Sequence, residues 1–216
     1  MRYDEAGQPL PIGHPDHLRL VECNCGKVKA ERTYRLDGQL GFEGDLRLIT
    51  WQDVKPLPAQ LPAQERVKRF ITLPSGWVYL HGVYGNGKTT LAALAVNLLR
   101  RSGYDAVFAN VPVFLSYLRR CLGSGQADEY PATLDYVQRV RVLALDDLGA
   151  EKSTEWAAEQ LYEVLNYRYV KRLPTIITSN LAPDGLGDGR LASRLRDVAY
   201  STVLNCGNGD IRTVAR

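Results

Sequence analysis

The sequence predicts an α/β fold in which helices cover both faces of a mostly parallel sheet. Three observations point to it. From Trp77 onward short β-rich runs alternate with longer helical ones. One run, Val142-Leu-Ala-Leu145, is apolar throughout, as a strand covered on both faces must be. A glycine-rich stretch at 82–89 lies between the first strand and the first long helix, where open sheets of this kind carry their ligands.

Taken in order, Trp77 to His81 is the first strand, and Lys88 to Ser102 is a helix that Gly103 can terminate. Asp105 to Ala109 is the second strand. Pro112 to Leu122 is a helix that opens on a proline, which the first turn tolerates. Residues 123–129 read as a loop, and Val142 to Leu145 as a third strand running into two acids. Ser153 to Arg172 carries Ala157, Leu161, Val164, Leu165 and Arg168 on one stripe, the pattern of an amphipathic helix. Thr175 to Thr178 and Ser201 to Leu204 complete the strands. Ahead of Phe70 the chain is richer in glycine, proline and charge. Three prolines within residues 53–62 favour an extended connector there, with a short helix over Gln64 to Ile71. Two regions are therefore expected: an accessory arm at 1–70 and an α/β core at 71–216.

With 216 residues, 45% hydrophobic and 24% charged, the chain can bury one substantial core. No run approaches the ~18 apolar residues of a membrane span, and Met1, Arg2, Asp4 and Glu5 do not open a signal peptide. Four cysteines are too few for a disulfide framework. A cytoplasmic protein with no membrane partner is expected. A formal charge of +3 does not mark a nucleic-acid binder by itself.

The strongest chemical signal is Gly82-Val-Tyr-Gly-Asn-Gly-Lys88-Thr89, with the spacing of a phosphate-binding loop. Glycines let the backbone turn tightly, so that several N–H groups share one concavity at the positive end of a helix. In that reading Gly82, Gly85, Asn86, Gly87, Lys88, Thr89 and Thr90 hold ATP, with Lys88 on the β- and γ-phosphates and the Thr89 hydroxyl on Mg²⁺. Asp146 and Asp147 end an apolar strand, where one carboxylate can hold hydrated Mg²⁺ and the next can polarise a water.

At this point a resemblance becomes specific. Leu145-Asp-Asp-Leu-Gly-Ala-Glu-Lys-Ser-Thr-Glu-Trp156, Leu161-Tyr-Glu-Val-Leu-Asn-Tyr-Arg168 and Leu173-Pro-Thr-Ile-Ile-Thr-Ser-Asn180 resemble the DnaC/DnaI helicase loaders and the related IstB transposition ATPases, which are AAA+ proteins. The likeness runs from about Trp77 to Arg212. It implies a P-loop NTPase three-layer sandwich with little or no C-terminal lid, for which Cys206 to Arg216 leave little room, and hydrolysis of ATP to ADP and phosphate. Asp146 and Asp147 then fall on the Walker B positions, with Asp147 where most AAA+ enzymes have a catalytic Glu. Asn180 falls on sensor I, Arg194 in Arg190-Leu-Ala-Ser-Arg194 on the arginine finger, and Arg212 on sensor II. A finger acting in trans implies self-association on ATP binding. The resemblance also implies single-stranded DNA as a ligand and a replicative DNA helicase as partner. The alternatives are a transposase partner, or a nucleotide-gated DNA-binding module with negligible turnover.

In the arm, Val21-Glu-Cys23-Asn-Cys25-Gly-Lys27 resembles the last part of the loaders' zinc cluster. His14, His17, Cys23 and Cys25 have the donor types for a tetrahedral Zn²⁺ site; the alternative is two exposed histidines beside an orphaned CxC. Trp51 sits where the family has a Phe-rich segment and is a candidate for the adenine pocket. Arg119, Arg120, Arg139 and Arg141, with Tyr117 or Tyr136 for stacking, are candidates for DNA.

Overall fold

The computed structural model describes residues 36–54, 58–123, 128–150, 154–207 and 209, all within one compact unit. Five strands form the sheet: β1 (Trp77–His81), β2 (Ala106–Asn110), β3 (Val142–Leu148), β4 (Thr175–Ser179) and β5 (Ser201–Asn205). Their order is β2-β3-β4-β1-β5, and every pairing among the described residues is parallel. Helices accompany them, among the described residues α1 (Leu61–Thr72), α2 (Lys88–Arg101), α3 (Val111–Gly123), α4 (Glu129–Arg139), α5 (Glu155–Val170) and α6 (Gly189–Leu195).

Two cores lie on opposite faces of this sheet because strand side chains alternate. Trp77 and Tyr79 of β1, Val107 and Ala109 of β2 and Leu143 and Leu145 of β3 pack with α3, α4, α5 and α6. Val78 and Leu80, Ala106 and Phe108, and Val142 and Ala144 pack with α1 and α2. Helices on both faces make the three-layer α/β sandwich. No helix among the described residues is long and apolar enough to cross a membrane.

Two elements differ from the sequence reading. The proline-rich stretch is not an extended connector where it is described. Trp51–Asp53 and Pro58–Gln60 are 3₁₀ turns, and α1 already starts at Leu61. Pro62 lies in its first turn, where its missing N–H has no intrahelical role to lose. Helix α4, unassigned from sequence, likewise carries Pro131 near its start and buries Thr133, Leu134, Val137 and Gln138.

The boundary expected at residue 70 falls inside α1. Residues ahead of it enter both cores, Leu36 and Leu40 on one side and Phe42, Ala63 and Val67 on the other. Phe42 stacks on Phe108 with ring centroids 4.9 Å apart. The buried Asp37 carboxylate receives two bonds of 2.7 Å from the Arg100 guanidinium, whose Nε donates to Ala106 O at 2.7 Å. Such a bidentate pair fixes orientation as well as distance. Leu40 O accepts the Asn110 N–H at 2.8 Å.

Arg168, on the apolar stripe of α5, is fully buried. Its Nε donates to Thr175 Oγ1 (2.9 Å), Nη1 to the carbonyls of Val140 (2.8 Å), Gln138 (3.0 Å) and Val137 (3.3 Å), and Nη2 to Pro174 O (2.7 Å). One side chain thus ties the end of α4 to the start of β4. Burial pulls its pKa down to about 9.

Candidate functional site

The carboxyl ends of β1, β3 and β4 meet at one cleft of about 470 Å³. Its floor is the loop after β1. Gly82 has φ +137°, and a Cβ there would stand 2.8 Å from Asn86 Nδ2 and 2.9 Å from Gly207 O, so only glycine fits. Gly85 and Gly87 also have positive φ, and Gly87 leads into α2. The Lys88 ammonium donates at 2.8 Å to each of Gly82 O, Val83 O and Asn86 Oδ1. Burial lowers the lysine's pKa, with Cys206, Asp146 and Asp147 opposing. Asn86 is fully buried and its Nδ2 donates to Gly207 O at 3.0 Å, so the amide side chain braces the loop.

The opposite wall is acidic. Leu145 pairs with Ile177 and Leu148 with Ser179, which leaves Asp146 and Asp147 opposite the single residue Thr178. This is a β-bulge, and Asp147 takes φ +61° in it. Thr178 Oγ1 donates to Asp146 Oδ1 at 2.7 Å and accepts the Asp147 N–H at 2.9 Å. Asn110 Nδ2 donates to Asp146 Oδ2 at 3.2 Å, and Asn180 Nδ2 to Asp147 Oδ1 at 2.8 Å. Burial, then the Asp146 charge, raises the Asp147 pKa, while Lys88 and Asn180 act against them.

The cleft thereby collects Gly85, Asn86, Gly87, Lys88, Thr89, Thr90, Asp146, Asp147 and Asn180 of the expected residues, and adds Tyr84, Asn110 and Thr178. Asn110 stands in no motif string, and Thr178 stands in the 173–180 stretch without a role assigned to it; each is recognisable from sequence only as a polar residue ending an apolar strand. The donor set suits a triphosphate with a divalent cation. Lys88 supplies an ammonium, and Thr89 and Asp146 supply a hydroxyl and a carboxylate, hard oxygen ligands of the type Mg²⁺ takes.

Arg194 lies elsewhere, in a separate opening with Tyr162, Tyr169 and Arg190. Its Nη2 donates to Tyr162 Oη (3.1 Å) and Asn166 Oδ1 (2.5 Å), and its guanidinium sits 4.9 Å from the Tyr162 ring centroid. His14, His17, Cys23, Cys25 and Arg212 lie outside the described residues. Trp51 packs against the second core, with Lys68 Nζ 5.4 Å from its ring centroid.

One stacking candidate is corrected. Tyr117 is buried in the first core and donates its hydroxyl to Glu129 at 2.6 Å, so its ring has no free face for a base. The arginines named beside it also have partners: Arg119 lies over Trp156, Arg120 over Tyr117, Arg139 over Tyr167 and Arg141 over Tyr104. Cys121 and Cys206 are buried free thiols, and burial pushes the Cys206 thiol up to about 11 against the pull of Lys88.

Comparison with known proteins agrees with the geometry. The model of the family of IstB-like ATP binding proteins matches residues 51–212. The replicative helicase loader DnaI of Bacillus subtilis is 36% identical over 152 residues, covering 67% of this chain and 48% of that protein. The ATP-binding protein assigned to insertion sequence IS1162 of Pseudomonas fluorescens is 37% identical over 181 residues, 71% of this chain and 76% of the relative. Among solved structures, the crystal structure of DnaI superposes with a TM-score of 0.63 at 28% identity, over 74% of this chain and 92% of that one. The chain spans about half the length of the Bacillus loader. The sandwich is that of the P-loop AAA+ proteins, and the chain belongs to the family of IstB-like ATP binding proteins.

Proposed function

We propose that the protein hydrolyses ATP in the cleft between the 82–89 loop and the two acids, and uses the nucleotide cycle to control an assembly on single-stranded DNA as a loader of a replicative helicase. The observation that carries the first half is the convergence of Lys88, Asp146, Asp147 and Asn180 on one cleft. Loop N–H groups and the α2 terminus take the phosphates, and Lys88 adds a fixed positive charge. Thr89 and Asp146 are the residues that would hold Mg²⁺, which neutralises charge on the β- and γ-phosphates.

Asp147 then faces the attacking water as its base. A carboxylate whose pKa is raised by burial accepts a proton more readily, and the Asn180 amide fixes which oxygen points inward. Arg194 acts across a subunit boundary on the γ-phosphoryl, which requires self-association on ATP. Phosphate release by the wild type and by Asp147→Asn, with and without single-stranded DNA, tests hydrolysis. Release by the wild type that Asp147→Asn abolishes is expected; negligible release under every condition would leave a nucleotide latch.

The DnaI relative supports the helicase as partner. The IS1162 relative, matched over three quarters of its own length, supports a second reading as the helper of a transposase. Co-purification from the host separates them by what comes down. Zinc on His14, His17, Cys23 and Cys25 is tested by metal analysis before and after changing both cysteines to serine.

A further inference from the structure

We propose that Thr178 is the positioning residue that sets Asp146 and Asp147 to different tasks, by holding both from a single hydroxyl across the β3 bulge. The inference rests on the reading of these acids given above and adds to it a residue that acts through them.

Strand β4 is a run of buried residues, Thr175 to Ser179, and the site of Thr178 could hold valine with almost the same shape. A hydroxyl there is justified by what it bonds. Oγ1 has one proton, which goes to Asp146 Oδ1 (2.7 Å), and a lone pair, which takes the Asp147 N–H (2.9 Å). Without the second bond that N–H has lost its place in the ladder, because the register skips from Leu145 to Leu148.

The bond also holds Asp147 at φ +61°, a region an L-residue occupies only when its surroundings over-determine it. That turn sends the Asp147 side chain to Asn180, while Asp146 stays on the strand between Thr178 and Asn110. The same oxygen therefore fixes the carboxylate of one acid and the backbone of the next. Removing it frees Asp146 to rotate and lets Asp147 relax towards an ordinary strand conformation, away from Asn180.

Thr178→Val keeps the branched shape and deletes both bonds; Thr178→Ser keeps the hydroxyl. In Thr178→Val, kcat for ATP should fall about 10- to 100-fold, the range typical of residues that orient metal ligands, and the Mg²⁺-dependent gain in affinity for a non-hydrolysable ATP analogue should shrink. Affinity for the analogue without Mg²⁺ should stay within about threefold, and Thr178→Ser should restore kcat to within about threefold of wild type. Thr178→Val combined with Asp147→Asn should lose the Mg²⁺-dependent gain to the same extent as Thr178→Val alone, because that gain runs through Asp146. Wild-type kcat in Thr178→Val, failed rescue by serine, or an unchanged Mg²⁺-dependent gain in Thr178→Val would each overturn the inference. If Thr178→Val melts without cooperativity, Thr178→Ala is judged by the same criteria. Wild-type hydrolysis in Asp147→Asn would instead overturn the reading of the acids, and the Mg²⁺-dependent affinity alone then decides for or against Thr178.

Discussion

Replacing Arg168 by methionine removes a buried cation whose five hydrogen bonds all go to neutral acceptors. Many buried ions can be exchanged for apolar residues at little cost, because the partner charge is exchanged too. Here the partners are four main-chain carbonyls and the Thr175 hydroxyl, and no substitution removes the carbonyls. Thr175 Oγ1 keeps its bond to Leu173 O at 3.0 Å, so it is the least affected. Pro174 O likewise keeps the Leu143 N–H at 3.3 Å, so three carbonyls stand to lose ~1–2 kcal/mol each, roughly 3–6 kcal/mol together. Relief of guanidinium desolvation returns several kcal/mol of that. The net expectation is a loss of about 1–4 kcal/mol, or roughly 2–15 °C in melting temperature for a chain of this size. Urea unfolding followed by circular dichroism, with an unchanged m-value, measures it. Arg168→Lys, with three donors for five positions, should fall between. A stability of Arg168→Met within about 0.5 kcal/mol of wild type, the scatter expected of an indifferent surface change, would refute the claim that this side chain braces α4 against β4.

Three further outcomes follow from the site. Lys88→Ala should abolish binding of a fluorescent ATP analogue, since it removes the ammonium and leaves three loop acceptors without their donor; persistent binding would remove the loop from the nucleotide site. Arg194→Ala should bind ATP normally yet hydrolyse it poorly, and mixing it with Lys88→Ala subunits should recover phosphate release, because intact fingers then face intact sites; a mixture no faster than its components would exclude action in trans. The Cys206 thiol, raised from 9.0 to about 11 by burial, favours the folded chain below pH 9, and that contribution is lost as pH rises towards 11. Wild type should therefore lose more stability than Cys206→Ala between pH 9 and 11, by about 2 kcal/mol, and parallel curves would contradict it.

The strands and the phosphate loop were legible because their signals are local. An apolar run before two acids, or glycines at fixed offsets before Lys88, need no knowledge of the rest of the chain. Asn110 and Thr178 carry no such signal: they matter only because β2 and β4 flank β3, and that adjacency is a property of the sheet order. Arg168 was legible as a member of the buried stripe but not as a charge with a purpose, since its acceptors lie some 30 residues upstream and just downstream. Leu36 to Phe42 misled in the opposite direction. Glycine and charge suggested an arm, whereas Asp37 is balanced by Arg100, sixty-three residues away, and so belongs with the core. Proline was read as a breaker in 53–62, although Pro62 sits in the one turn of a helix that tolerates it.

The Asp37–Arg100 clasp has a mechanical consequence. A load on residues 36–42 reaches the first core through Leu36 and Leu40 and, through Asp37, the carboxyl-terminal turn of α2, about 18 Å along the axis from Lys88 at 1.5 Å per residue. A hydrogen-bonded helix passes such a load along its length as a rigid lever, so what the opposite end feels is a tilt beneath its glycine loop. Through Leu40 O and the Asn110 N–H the same segment also leans on the residue whose amide touches Asp146. A load on residues 36–42 thus reaches both walls of the cleft at once.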